Sequence, residues 1–576
     1  MNVPSAFLKL FPFLHWGRPS VDSLRRDVWA GITVGLVLVP QALAYATLAG
    51  MPPHTGLYAA LLPSIVGMLW GSSPLLAVGP VALTSILVFG SLSSMAAPES
   101  DAWVGLAIWL ALYSGLFQLL LGVFRMGSIA NLVSQPVVTG FMNAAAVIIM
   151  LSQLPQLLGI AFHMQHWMSP FAFITVSNGS AITAAFGCTA ILLLYLFRHY
   201  APKLPGVLLV TVLGILASRL LDYPGLGGAI VGPLPSELPA LALPPAISLN
   251  SHRELWLSAL ILAIVSFTEA MSSCRVIARK QRERWDENQE LIGQGLAKIT
   301  SGLCGAFPVS GSISRSALNL YAGATSAWAS LVAALCVLFS LLFLTGFIRD
   351  LPYSVLAAMI MVPVFNLLDF AAFRRLLHIS RDDAAVAAVT FIVTLLFSPR
   401  LHFGVFAGLG LTMVTFLYRR AHPRIIEVAL HGDGTLRDRL RFSLPPLAPD
   451  LLAVRMDSAL NFLTAAALER FIIDRQSADP SIRRVLLSAS GINDIDASGV
   501  DILESLAQSL YAQGIELNLA AVKKQVWEVM ERAGLIALIG TERLFATDGE
   551  AANALSSKAA DANVRHRSVE MPKGQG

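Results

Sequence analysis

Charge is scarce in this chain. Only 13% of its 576 residues are Asp, Glu, Lys or Arg, 55% are hydrophobic, and the net charge is +4. So little charge, with a mean hydropathy of +0.66, excludes a soluble enzyme with a large core and indicates an integral membrane protein. Cysteine is scarcer still. Cys188, Cys274, Cys304 and Cys336 lie in or beside apolar segments with no metal-ligand spacing and no paired framework, so they read as small buried hydrophobes. No basic run offers a nucleic-acid footprint, and no nucleophile–base constellation or metal-ligand cluster is present; catalysis, a cofactor and a nucleic-acid partner are therefore not expected. The N-terminus lacks the basic region, short apolar run and small-residue cleavage site of a removable signal peptide. Phe7, Phe11, Phe13 and Trp16 instead read as an interfacial lead-in to a first span.

What is abundant is long apolar runs, and two of them are interrupted. In Phe307-Pro308-Val309-Ser310-Gly311-Ser312-Ile313-Ser314-Arg315-Ser316, Pro308 and Gly311 break the run and the serines offer caps for a new short helix starting near Ile313. A helix start at membrane depth leaves orphan N–H groups and a positive dipole end, which must face a polar cavity and favour an anion. Arg315 adds a full positive charge there, and an intramembrane arginine is a functional-site hypothesis by default. A re-entrant turn with Arg315 neutralised for structure alone is the alternative. The second interruption, Ala77-Val78-Gly79-Pro80-Val81-Ala82-Leu83-Thr84-Ser85, has the same logic, with Pro suited to a first helical position.

Apolar length places further spans near 28–49, 56–71, 102–124, 129–151, 182–197, 205–221, 255–278, 288–306, 325–346, 352–368, 382–399 and 402–420. With the two short helices this makes fourteen. Lys and Arg fall mostly on one side of that arrangement, from Arg25 and Arg26 through Lys203 and the cluster Arg275 to Arg284 to Arg424, so both termini are expected in the cytoplasm. The interrupted helices are third and tenth, one in each half of seven, which points to an inverted-repeat transporter with its site at the repeat interface. Pro40 frees a carbonyl near the middle of the first span, and Gln41 either answers it or faces a cavity.

Glu269 is the acidic residue most clearly inside a span. Ser266, Glu269 and Ser273 share one helical face, and that depth demands a partner, a proton or a cation. A static pair with Arg315 is one reading. The other is proton uptake when an anion arrives, since unit charges about 4 Å apart at an effective dielectric near 20 interact by ~4 kcal/mol. A sodium ion held there is a third. Gly293, Gly295, Gly302 and Gly305 allow close helix approach behind the tenth helix.

Past Pro423 strands alternate with helices: 454–457, 485–488 and 515–521 read as strands, 498–512 and 525–533 as helices. A small α/β domain over 424–555 follows, then a disordered tail over 556–576. Residues 1–23 form an N-terminal segment and 24–423 the membrane domain. Ser498, with Asp501 three residues on, reads as an N-cap and as a candidate regulatory phosphosite.

Gln41-Ala42-Leu43-Ala44-Tyr45, Gly56-Leu57-Tyr58, Val78-Gly79-Pro80, Leu291-Ile292-Gly293-Gln294-Gly295, Ser314-Arg315-Ser316 and Asp496-Ala497-Ser498-Gly499 together resemble the sulfate permease family of anion transporters with a C-terminal STAS domain. The resemblance implies an all-α membrane domain of fourteen spans in a 7+7 inverted repeat, with spans one to four and eight to eleven as core and the rest as gate. It also implies a homodimer in a lipid bilayer, elevator-like movement, and a small cytoplasmic α/β domain whose ligand or partner is unknown. The substrate-binding positions it implies are Gln41, Tyr45, Val81, Ile313, Ser314 and Arg315, with Glu269 for coupling. Val81 and Leu38 make the pocket wall more aliphatic than in several relatives. Sulfate taken up with protons at a bacterial inner membrane is the leading reading. Sodium-coupled bicarbonate transport, proton-coupled dicarboxylate transport and uncoupled exchange or a channel are the alternatives; bicarbonate carriers of the family tend to carry Asp at the Glu269 position, which favours protons here.

Overall fold

The computed structural model describes residues 12–15, 19–128, 133–160, 180–201, 204–365 and 367–556. The aromatic lead-in at Phe7, Phe11 and Trp16, the start of the 129–151 span, Lys203 and the tail from 557 onward lie outside the described residues. The chain divides into two compact units, 1–412 and 413–576.

The first unit is helical. Its elements run α1 (Val21–Leu48), α2 (His54–Trp70), β1 (Ala77–Gly79), α3 (Ala82–Leu92), α4 (Asp101–Val123), α5 (Gln135–Leu158), α6 (Ala181–Tyr200) and α7 (Gly206–Leu220). The second half continues with α8 (Leu249–Gln281), α9 (Glu287–Leu303), β2 (Ser310–Ser312), α10 (Ile313–Tyr321), α11 (Trp328–Ile348), α12 (Tyr353–Phe365), α13 (Phe370–Ile379), α14 (Arg381–Leu396) and the first half of α15 (His402–Ala421), whose remainder falls past residue 412. Seven of the described helices are long and apolar enough to cross a membrane. The helices associate in two groups: α1–α4 pack with α8–α11, and α5–α7 pack with α12–α14, which α15 joins through Gly404 against Thr394 and Gly408 against Thr390 and Val137. The short α13 follows the last turn of α12 and packs on α14.

Helix α1 runs unbroken through Pro40. The missing N–H costs one bond, at the Leu36 carbonyl, and packing on both sides holds the helix straight enough to continue. Backbones approach closely in the first group. A Cβ on Gly56 of α2 would run into the Ala42 carbonyl of α1, and one on Gly115 of α4 would lie 2.7 Å from the Gly295 carbonyl of α9. Small residues permit such contact where lipid offers no hydrophobic drive. Gly293 abuts Gly71 at the end of α2, and Gly302 abuts α4. The glycines of α9 thus serve its seam with α2 and α4, whereas the sequence reading places them behind α10. Gly56→Ala is expected to lower the melting temperature of the detergent-solubilised protein by several degrees, since overpacking against backbone costs about 1–3 kcal/mol; an unchanged melting curve would mean that α1 and α2 are not in backbone contact.

Two buried carboxylates tie loops to helices. Asp27 near the start of α1 accepts from the Thr325 and Ser326 amides at 2.6 and 3.1 Å and from both hydroxyls. Glu290 of α9 accepts from the Ser72 and Ser73 amides at 2.9 and 3.1 Å and from Gln294 Nε2 at 3.0 Å. With three or more donors each, these carboxylates are satisfied structural clips.

The second unit is an α/β domain. Strands β3 (Ile425–Leu430), β4 (Leu436–Asp438), β5 (Leu451–Met456), β6 (Arg484–Ser488), β7 (Glu516–Ala520) and β8 (Leu544–Phe545) form one sheet in the order β4-β3-β5-β6-β7-β8. The β5 to β8 ladder is parallel, while β3 and β4 pair antiparallel. Helices α16 (Ala465–Ala478), α17 (Ala497–Ala512), α18 (Lys524–Arg532) and α19 (Leu535–Ile539) complete it. Val454, Leu487, Leu517, Leu503 and Leu506 share its core. Buried Arg484 grips Asp450 with two hydrogen bonds of 2.8 and 2.7 Å and the Leu555 carbonyl with a third at 2.9 Å, which fastens the C-terminal end of the domain. The expected strands and helices are present; β3, β4, β8, α16 and α19 are additional.

The turn before α17 corrects the expectation for Ser498. Asp496 is the N-cap, its carboxylate accepting from the Gly499 amide at 2.8 Å, and Ser498 lies inside the first turn. A charged acceptor at the cap favours the dipole end more than a hydroxyl does.

Candidate functional site: two facing helix starts

Strands β1 and β2 lead directly into α3 and α10, and they pair antiparallel with Ala77 opposite Ser312, Val78 opposite Gly311 and Gly79 opposite Ser310. Two chain breaks more than 230 residues apart therefore meet in one place. Their backbone groups are satisfied by this pairing and by side chains: Ser64 Oγ donates to the Val78 carbonyl at 2.8 Å, the Ala77 amide donates to Ser316 Oγ at 3.0 Å, and Ser310 Oγ donates to the Ser266 carbonyl at 2.9 Å. Non-helical backbone at membrane depth is tolerated only with such cover.

Ser312 caps α10 by accepting from the Arg315 amide at 3.3 Å. No side chain caps α3, whose N-cap is the buried Val81, so the amides of its first turn lack helical partners. Both helix ends thus present positive partial charge.

Arg315 is 1% exposed. Its Nη1 donates to the Pro80 carbonyl at 2.8 Å, so the guanidinium bridges from α10 to the start of α3. Gly79, at φ +154°, is required beside it: a Cβ there would sit 3.3 Å from Nη2 and 3.4 Å from Ser64 Oγ in a backbone region that side chains disfavour. Nε and Nη2 of Arg315 have no hydrogen-bond partner among the described residues, and neither has the sealed Oε2 of Glu269 on α8. The two side chains influence one another electrostatically yet form no ion pair among the described residues. The expected alternative of a static Glu269–Arg315 pair is not what the structure holds.

Glu269 and Ile313 line a cavity of about 440 Å³, walled by Leu83 of α3 on one side and by Val137, Phe141 and Met142 of α5 and Val405 of α15 on the other. It lies between the two helix groups. Arg275 and Arg279 of α8 line it as well. Ser314 is exposed beside Ile313, its hydroxyl 3.4 Å from that of Ser312. Gln41, Tyr45, Val81 and Arg315 are buried and are not among the residues that line the cavity. Tyr45 interacts electrostatically with both Arg315 and Glu269. Among the described residues no side chain donates to the Leu36 carbonyl, and the acceptor Oε1 of Gln41 is buried with no donor beside it.

One charged residue escaped the sequence reading. Lys298 of α9 is fully buried, and its ammonium donates to Gln118 Oε1 of α4 at 2.8 Å and to Ser266 Oγ of α8 at 2.7 Å. The signal was available, a lysine inside an apolar run, but that segment drew notice for its glycines.

This fold, a two-group helical membrane unit with paired helix starts and a C-terminal α/β domain, defines a class of polytopic membrane protein. Residues 24–390 match the sulfate permease family and 446–551 match the STAS domain. A probable sulfate transporter of Mycobacterium tuberculosis is 32% identical over 91% of this chain and 94% of its own, and probable sulfate transporter 4.2 of Arabidopsis thaliana is 32% identical over 93% of this chain and 82% of its own. The chain belongs to the sulfate permease family. Among solved structures, the murine solute carrier 26 family member A9 anion transporter superposes with TM-score 0.88 at 22% identity, covering 97% of this chain and 96% of that one. The transmembrane domain of a cyanobacterial bicarbonate transporter superposes with TM-score 0.59 at 23% identity over 68% of this chain and 98% of that one.

Proposed function

We propose that this protein is a secondary active transporter that takes up an inorganic anion, sulfate first, together with a proton. The observation that carries the reading is the pair of uncapped or serine-capped helix starts joined by Arg315, next to the cavity-lining carboxylate of Glu269, which forms no ion pair among the described residues. An anion between the starts of α3 and α10 meets free amides, the Ser314 hydroxyl and the field of Arg315. Its arrival raises the cost of keeping Glu269 ionised, so the carboxylate takes a proton, and anion and proton travel together. Gln41 and Tyr45 of α1 close the site from behind.

The α1–α4 and α8–α11 group carries these residues, and it moves as a body against α5–α7 and α12–α15, exposing the site alternately in an elevator-like cycle. All fourteen helices that match the apolar segments cross the bacterial inner membrane, both termini are cytoplasmic, and the protein works as a homodimer. On this orientation Arg275 and Arg279 stand at the cytoplasmic mouth of the cavity. Ser498, in the first turn of α17, is a phosphorylation site that regulates transport, since added negative charge suits a helix N-terminus. Sulfate is favoured because the relatives at 32% identity are named probable sulfate transporters.

The test is labelled sulfate uptake into proteoliposomes under a proton gradient, a sodium gradient or neither, with unlabelled bicarbonate, chloride and succinate as competitors. Uptake driven by protons alone and competed by divalent oxyanions is expected. Sodium-driven uptake blocked by bicarbonate would replace this reading with sodium-coupled bicarbonate transport.

A further inference from the structure

Among the described residues the hydrogen-bond partners of Lys298, Gln118 and Ser266, are both neutral. Gln118 Nε2 donates to the Ala263 carbonyl at 2.7 Å and Ser266 Oγ donates to the same carbonyl at 3.3 Å, so both side chains turn acceptor atoms toward the ammonium. Three helices, α4, α8 and α9, thus converge on one buried cation. Ser266 lies one turn before Glu269 on α8, with Cβ atoms about 5–6 Å apart, and Lys298 and Glu269 interact electrostatically. The other ionisable groups around this cluster are accounted for. Glu290 lies two turns back along α9, about 12 Å at ~1.5 Å per residue, and is satisfied by Ser72, Ser73 and Gln294. Cys274 of α8 is buried beside Glu290, Tyr45 faces from α1 and Arg315 from α10, while Arg275 and Arg279 line the cavity farther along α8. Glu269 is the carboxylate shared by two buried cations, and neither cation is paired with it directly.

We infer that Lys298 is a third charge of the transport site and sets which anion charge the protein accepts with a proton. The inference rests on the transport reading above and deepens it. With Arg315 and Lys298 protonated and Glu269 ionised, the empty site carries one net positive charge. A monovalent anion neutralises it, and no proton is needed. A divalent anion leaves one negative charge, which protonation of Glu269 cancels. A buried site is occupied most readily when its charges sum to zero, so divalent oxyanions are carried with one proton and monovalent anions with none. Both loads then move one net negative charge per turnover.

Removing the Lys298 charge shifts this arithmetic by one. In Lys298→Gln the site with ionised Glu269 is neutral when empty, so a monovalent anion now needs the proton and sulfate cannot be neutralised by one.

The experiment compares wild type, Lys298→Gln and Lys298→Arg as purified full-length protein, each checked for a single monodisperse peak, with sulfate and chloride as probes. Sulfate affinity is expected to fall by about tenfold or more in Lys298→Gln, since a unit charge buried nearby acts on both charges of sulfate. Chloride binding is expected to become acid-dependent in that variant, and Lys298→Arg should keep the wild-type sulfate-to-chloride preference. Equal losses for both anions with an unchanged pH profile would overturn the inference and leave Lys298 a packing clip between three helices. Should neither variant fold, proton uptake on ligand addition to wild type decides the matter: about one proton per sulfate and none per chloride is expected, and equal uptake for both would overturn it. Failure of wild type to bind sulfate at all would instead defeat the transport reading, so the two failures are told apart.

Discussion

Replacing Arg315 with glutamine is expected to reduce sulfate binding and uptake by about a hundredfold or more while leaving the protein inserted and folded. The guanidinium is buried, and among the described residues it is held by one hydrogen bond, to the Pro80 carbonyl, with two of its nitrogens unpartnered. A buried cation with spare donors is costly unless something else uses its charge. At an effective dielectric near 20, a unit charge about 6 Å from an anion is worth ~3 kcal/mol per unit of anion charge, and each 1.4 kcal/mol is tenfold. Glutamine keeps a donor for Pro80 but removes the field. Lysine at the same position retains the charge and loses the planar bridge between α10 and α3, so Arg315→Lys should fall between the two. Equilibrium binding of labelled sulfate to the purified variants reads the effect directly. An affinity within threefold of wild type in Arg315→Gln would remove Arg315 from the site.

The second large effect concerns Glu269. In Glu269→Gln, sulfate binding is expected to persist while the acceleration of uptake by acid disappears. Glutamine is nearly isosteric with a protonated glutamate, so the variant is held permanently in the state that anion arrival is proposed to produce. It can neither repel the anion nor carry the proton. Binding becomes flat with pH, where wild type binds sulfate more tightly as pH falls, because protonation relieves the repulsion of carboxylate and anion. Uptake against a gradient is lost, although exchange of labelled for unlabelled sulfate continues. Retention of the wild-type pH dependence in this variant would move the coupling role to another group.

Much of this site could be read from the chain because its signals are local. Pro308 and Gly311 mark the break, Ser312 has the spacing of a cap, and Arg315 is conspicuous in an apolar run; the cap is present at 3.3 Å. The pairing of β1 with β2 carries no local signal, since three residues on each side are too few to show a period and their partners are more than 230 positions away. One cation and one carboxylate in the same region suggest a static Glu269–Arg315 pair, but the bond Arg315 makes is from Nη1 to the Pro80 carbonyl, and no ion pair with Glu269 is present among the described residues. Lys298 changes the charge balance of the same region, and its partners come from α4 and α8. Sequence spacing on α9 alone could not assign them. In the C-terminal domain Ser498 and Asp496 are both plausible caps by composition, and the backbone conformation of Asp496, outside the helical region, is what decides between them.

Anion and proton are held to move together through Glu269, and one measurement bears on this most directly. Wild-type proteoliposomes would be given equal sulfate inside and out, a membrane potential clamped at zero, and an external pH one unit below the internal pH. One proton per sulfate moving down one pH unit supplies ~1.4 kcal/mol, so labelled sulfate should accumulate about tenfold inside and run down to equality when the pH difference is collapsed. Equal sulfate on both sides throughout would contradict proton coupling.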